Sequence, residues 1–67
     1  MNQKIADYLV WIIDLTANRL FSGNITKTYK ILEKENLLDF YATHYDTSHT
    51  LGQEYILEEI QERLNKK

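Results

Sequence analysis

His44 and His49, with Asp39 and Asp46 beside them, are the side chains in this sequence whose types and spacing could hold a metal ion or move a proton. Zinc sites usually join closely spaced cysteine or histidine pairs to a second pair elsewhere. This chain has no cysteine and only two histidines, five positions apart across an expected helix end, with no third strong ligand. A structural role fits them better. His44 near a helix C-terminus can meet the last carbonyls and the negative end of the helix dipole, and His49 stands beside a helix-start signal. Ser48 next to His49 lacks the strand–turn–helix setting that exposes a serine nucleophile, and two isolated glycines cannot form a phosphate-cradling loop. No catalytic residue, no metal site and no cofactor is expected.

The tyrosines carry more information. Tyr8, Tyr29, Tyr41, Tyr45 and Tyr55, with Trp11, are many large amphipathic rings for 67 residues. Such rings are enriched at protein interfaces, where the body is buried and the polar tip stays satisfied. A small domain also needs aromatics simply to cover a thin core, and the same ring chemistry serves both ends. Tyr55 falls beside Glu54, Glu58 and Glu62, which recur at i, i+4, i+8 as an acidic ridge. An aromatic anchor among carboxylates suits a basic site on a partner protein.

Charge is unevenly spread although the net value is only −2. Arg19, Lys27, Lys30 and Lys34 make the middle basic, while Glu35, Asp39, Asp46, Glu54, Glu58, Glu59 and Glu62 make the C-terminal half acidic. Lys27, Lys30 and Lys34 share one helix face that Arg19 could extend, which is the alternative nucleic-acid surface. A net-acidic chain with two arginines lacks the domain-wide basic footprint of a DNA binder.

These side chains must be positioned by helices. Proline is absent. Over residues 3–21 a helical period places Ile5, Leu9, Ile12, Ile13, Thr16 and Leu20 on one face. Tyr8, Leu15, Ala6, Val10 and Ala17 widen that face to about twice the usual 100° stripe of a surface helix. Such a helix must be surrounded, by its own chain or by a second copy, so a homo-oligomer is expected. Gly23 closes this helix in the left-handed region. A second helix capped by Thr26 runs to about residue 35, and Asn36 makes the next left-handed break. A third spans residues 37–45. Thr50 and Gln53 have the spacing of a capping box, so the last helix is expected over residues 51–65, with Ile56, Leu57, Ile60 and Leu64 inward. Glu59 with Arg63 and Glu62 with Lys66 would form supporting i, i+4 pairs. The predicted architecture is an all-α bundle of four helices over residues 1–67, the first and last being longest, around Leu9, Ile12, Leu32, Phe40, Ile56 and Ile60.

The run "NLLDFYATHYDTSHTLGQEYILEEI" resembles a family of short bacterial domains of unknown function, number thirty-seven ninety-one among such families. Asp39-Phe40, Tyr45-Asp46, His49-Thr50 and the stretch from Gly52 to Ile60 carry the resemblance. "ITKTYKILEKENLLDF" is similar to the preceding portion, where members often have glycine at the position of Asn36. The first helix matches only in its apolar character. The resemblance implies no catalytic residue. It implies that His49, Thr50, Gly52 and Tyr55 belong to a shared structural feature. Genes of the family often lie beside genes for ADP-ribosyltransferase-like proteins, an arrangement similar to toxin–antitoxin pairs.

The expected function is therefore a non-enzymatic protein-binding module, an antitoxin-like regulator of such a neighbour. A small DNA-binding regulator or a homo-oligomeric structural domain are the alternatives. The longest apolar run, residues 8–13, is too short for the ~20 residues of a membrane span, and no signal peptide is legible. A cytoplasmic location is expected.

Overall fold

The computed structural model describes residues 2–66. Its elements are α1 (Gln3–Leu20), α2 (Ile25–Lys34), α3 (Leu37–Thr43), α4 (Tyr45–Ser48) and α5 (Gln53–Asn65). The all-α reading, with long first and last helices, holds. The expected third helix is divided at His44, whose carbonyl accepts the Ser48 N–H at 2.8 Å and starts the single turn of α4.

Local chemistry explains most of the helix ends. The Asn2 side chain accepts the Lys4 N–H at 2.7 Å and caps α1. At the other end the Ala17 carbonyl takes two donors, Phe21 N–H at 3.0 Å and Gly23 N–H at 2.8 Å. Gly23 is left-handed at φ 82°, and so is Ser22 at φ 53°. Asn36 is left-handed at φ 64° between α2 and α3, the geometry that glycine supplies most cheaply.

Two caps differ from expectation. Asn24, not Thr26, caps α2: its Oδ1 accepts the Lys27 N–H at 3.0 Å. Asn24 is extended at φ −80° and ψ 92°, the backbone of a cap, so the helix starts at Ile25 and Thr26 becomes helical. The capping box of Thr50 and Gln53 does not form. Thr50 donates its hydroxyl back to the Thr47 carbonyl at 2.8 Å, a local bond that competes with capping. Gly52 becomes the N-cap of α5, without a side-chain bond, and Leu51 stays outside the helix.

α1 packs against α2, α3 and α5. The core joins Tyr8, Leu9 and Ile12 of α1 to Leu32, Leu37, Tyr41, Ile56 and Ile60. Tyr41 has no exposed surface, whereas Phe40, the aromatic expected inside, is only partly buried at the core's edge. The wide apolar arc of α1 is covered along its centre by its own chain. Of the residues that widen the arc, Tyr8 and Ala17 are buried as well, and Val10 stays 64% exposed.

Candidate protein-binding surfaces

α5 displays the acidic ridge. Ile56 and Ile60 face the core with no exposed area, and this fixes which residues face out. Tyr55 is 54% exposed. It lines a shallow depression of about 200 Å³ with Glu58, Glu59 and Glu62. Glu62 is paired with Lys66 at 3.4 Å across one turn, as expected. Glu54, the fourth candidate, is drawn elsewhere. Arg19 Nη2 donates to its Oε2 at 3.0 Å, joining α1 to α5 across 35 positions of sequence. This bond and the guanidinium's charge hold the Glu54 carboxyl below its ordinary range. Because Arg19 and Glu54 satisfy each other, Arg19 is withdrawn from the basic face and Glu54 from the ridge.

Glu59 has an inward role. The Tyr41 hydroxyl donates to Glu59 Oε1 at 2.7 Å. Burial first, then this bond to a carboxylate, pushes the Tyr41 phenol well above its ordinary value. Arg63, expected to pair with Glu59, lies with its guanidinium carbon 4.1 Å from the Phe40 ring centroid, a cation–π contact. Phe40 thus bridges core and surface.

The basic candidates Lys27, Lys30 and Lys34 are all exposed on α2, where their i, i+3, i+7 spacing keeps them on one side of the helix. Lys27 and Lys30 border one depression beside Asn24, Thr26 and Ile31. The Lys27 ammonium stands 5.7 Å from the Phe21 ring centroid. Lys34 is in the last turn of α2, where the dipole favours a cation.

Each histidine is held by an aromatic neighbour. The His44 ring meets Phe40 edge-on at 4.6 Å between centroids. His49 stacks on Tyr45 at 4.3 Å and 8°. His49 Nδ1 lies 2.6 Å from the Tyr45 carbonyl. A carbonyl only accepts, so Nδ1 carries the proton. Among the described residues no three histidine, aspartate or glutamate side chains converge as a metal site.

Sequence reasoning missed two surfaces. Trp11, Tyr8, Tyr45 and His49 form a continuous aromatic run: Tyr8 stacks on Trp11 at 5.9 Å and meets Tyr45 edge-on at 5.3 Å. Tyr8 Oη is buried without an aligned hydrogen bond. Burial raises its phenol, and the nearby Ser48 hydroxyl partly offsets that shift. The i, i+3 spacing of Tyr8 and Trp11 and the i, i+4 spacing of Tyr45 and His49 are signals that could have flagged each pair, but no local signal joins the two pairs. The second missed surface is a groove between α1, α2 and α3.

With this geometry in view, the family comparison is informative: the model of a family described as protein of unknown function (DUF3791) matches residues 7–67. The chain belongs to the DUF3791 family. No curated protein and no solved structure matches it. The match takes in all of α2 to α5 and α1 from Asp7 onward, so it reaches beyond the stretch from Ile25 onward that carried the resemblance. No helix among the described residues is long and apolar enough to cross a membrane.

Proposed function

We propose that this DUF3791 domain is a non-enzymatic protein-binding module whose α5 ridge engages a basic site on a partner. The observation that carries the reading is the half-exposed Tyr55 ring standing in a depression with Glu58, Glu59 and Glu62. An aromatic side chain anchored among carboxylates supplies apolar contact area and a field that attracts and orients a cationic surface. With Glu54 committed to Arg19 and Glu59 to Tyr41, Glu58 is the central charge and Glu62 shares its own with Lys66. The family's gene neighbourhood makes an ADP-ribosyltransferase-like protein the partner to try first, with this domain as its antitoxin-like regulator in a bacterial cytoplasm.

The test is a pull-down with the neighbouring gene product, repeated with Tyr55→Ala and Glu58→Lys. Each variant should weaken capture, and capture unaffected by both removes the ridge as the site. Salt-sensitive DNA binding lost on Lys30→Glu would instead establish the regulator reading through Lys27, Lys30 and Lys34. A wild-type dimer in light scattering with no bound partner would favour the structural reading.

A further inference from the structure

α1 presents Ala6, Val10 and Ile13, one turn apart in succession, along one wall of a groove completed by α2 and α3. Leu38 and Ala42 of α3 extend the apolar surface. Val10 is 64% exposed, an unusual position for a valine in the middle of the longest helix. The groove measures about 450 Å³, within the roughly 300–1,000 Å³ of clefts that bury a compact ligand.

The charges bordering it have one sign. Glu33 of α2 and Asp39 of α3 line it, and no lysine, arginine or histidine does. The Tyr29 hydroxyl donates to Glu33 Oε2 at 2.9 Å and holds that carboxylate in place. A two-fold contact between copies of this chain presents the same patch from both sides. Both copies would then bring Glu33 and Asp39 into one contact whose lining holds no cation to answer them, and like charges across an interface oppose association. We propose that the groove receives an amphipathic helix of a different protein, with apolar anchors at i, i+4, i+7 against α1 and lysine or arginine flanks reaching Glu33 and Asp39. Helix-in-groove recognition uses this spacing of anchors. No α5 residue lines the groove, so this surface is separate from the Tyr55 ridge and stands or falls independently of it.

The experiment titrates the full chain into a labelled synthetic helix with leucines at those spacings and lysines on both flanks, beside a twin with glutamate flanks. The lysine-flanked helix should bind about tenfold or more tightly than its twin. Val10→Glu should weaken it by about the same factor. Glu33→Lys with Asp39→Lys should reverse the preference, a gain that mere unfolding cannot produce, and Tyr55→Ala should leave it unchanged. Failure of the lysine-flanked helix to bind, equal affinity for both twins, or indifference to Val10→Glu overturns the proposal. So does a dimer in light scattering that Val10→Glu dissociates, since a second copy then fills the groove.

Discussion

On the inner side of α5, Ile56 and Ile60 are fully buried and Glu59 takes the Tyr41 hydroxyl at 2.7 Å. On the outer side of the same helix, Tyr55 keeps 54% of its surface exposed among Glu58 and Glu62. Both sides use an aromatic ring and a carboxylate, yet in opposite senses. Inside, the ring is buried and the carboxylate satisfies its polar tip, so the pair belongs to the fold. Outside, the ring is left half in water with charges around it, so its energy is available to a partner. For Glu54 and Glu59 the role follows from what faces them across the bundle, whereas Glu62 keeps its i, i+4 partner Lys66.

The sharpest way to break this contrast is to truncate each side in turn. Ile60→Ala should cost roughly 2–5 kcal/mol, as for other large-to-small core changes. Tyr55→Ala should leave stability within about 0.5 kcal/mol. Chemical denaturation of both variants checks this, and equal losses would erase the distinction between the two faces.

Next in size is Tyr41→Phe, which deletes only the hydroxyl. Loss of a hydrogen bond to a charged group that is itself partly exposed should cost about 1.5 kcal/mol. The same change alters the alkaline limb. Folding favours the neutral phenol and raises its pKa above the ordinary 10.0. The stabilisation is therefore fully present below about pH 10 and declines as pH rises towards the folded value. Thermal melts across that range should fall less steeply in Tyr41→Phe. Some decline should persist, because Tyr8 and Tyr29 shift in the same direction.

The helix starts sharpen the comparison at a smaller scale. Asn24→Ala should cost about 1 kcal/mol, a typical N-cap loss. Thr50→Ala should change stability by less than about 0.5 kcal/mol, because its exposed hydroxyl bonds only the Thr47 carbonyl. A larger loss at Thr50 than at Asn24 in denaturation curves would reverse the assignment of the caps.

The smallest effect belongs to the exposed Arg19–Glu54 pair. Its Glu54 carboxyl is depressed chiefly by the bond from Arg19. The contribution is present above the ordinary carboxylate pKa of 4.5 and is lost as pH falls through the lower folded value. Arg19→Ala should flatten that acid limb slightly at low salt, and melts at high salt should show no difference from wild type.

Local physics in the sequence determined that the chain is helical, that Gly23 and Asn36 interrupt it, and that Ile56 and Ile60 face inward. Period, left-handed tolerance and burial of aliphatic side chains are properties of neighbouring residues, so these features were legible without a fold. Even locally, competition between equivalent groups escaped: Asn24 outbid Thr26 for one cap, and Thr50 turned to Thr47 instead of α5. The tertiary structure alone decided that Tyr41 rather than Phe40 is buried and that Arg19 reaches Glu54 across 35 positions. It alone joined Tyr8 to Tyr45 and left Val10 at the edge of a groove. The reason is geometric. A helix's own period says which residues share a face, but only the helices packed against it determine how much of that face is covered and which charge answers which.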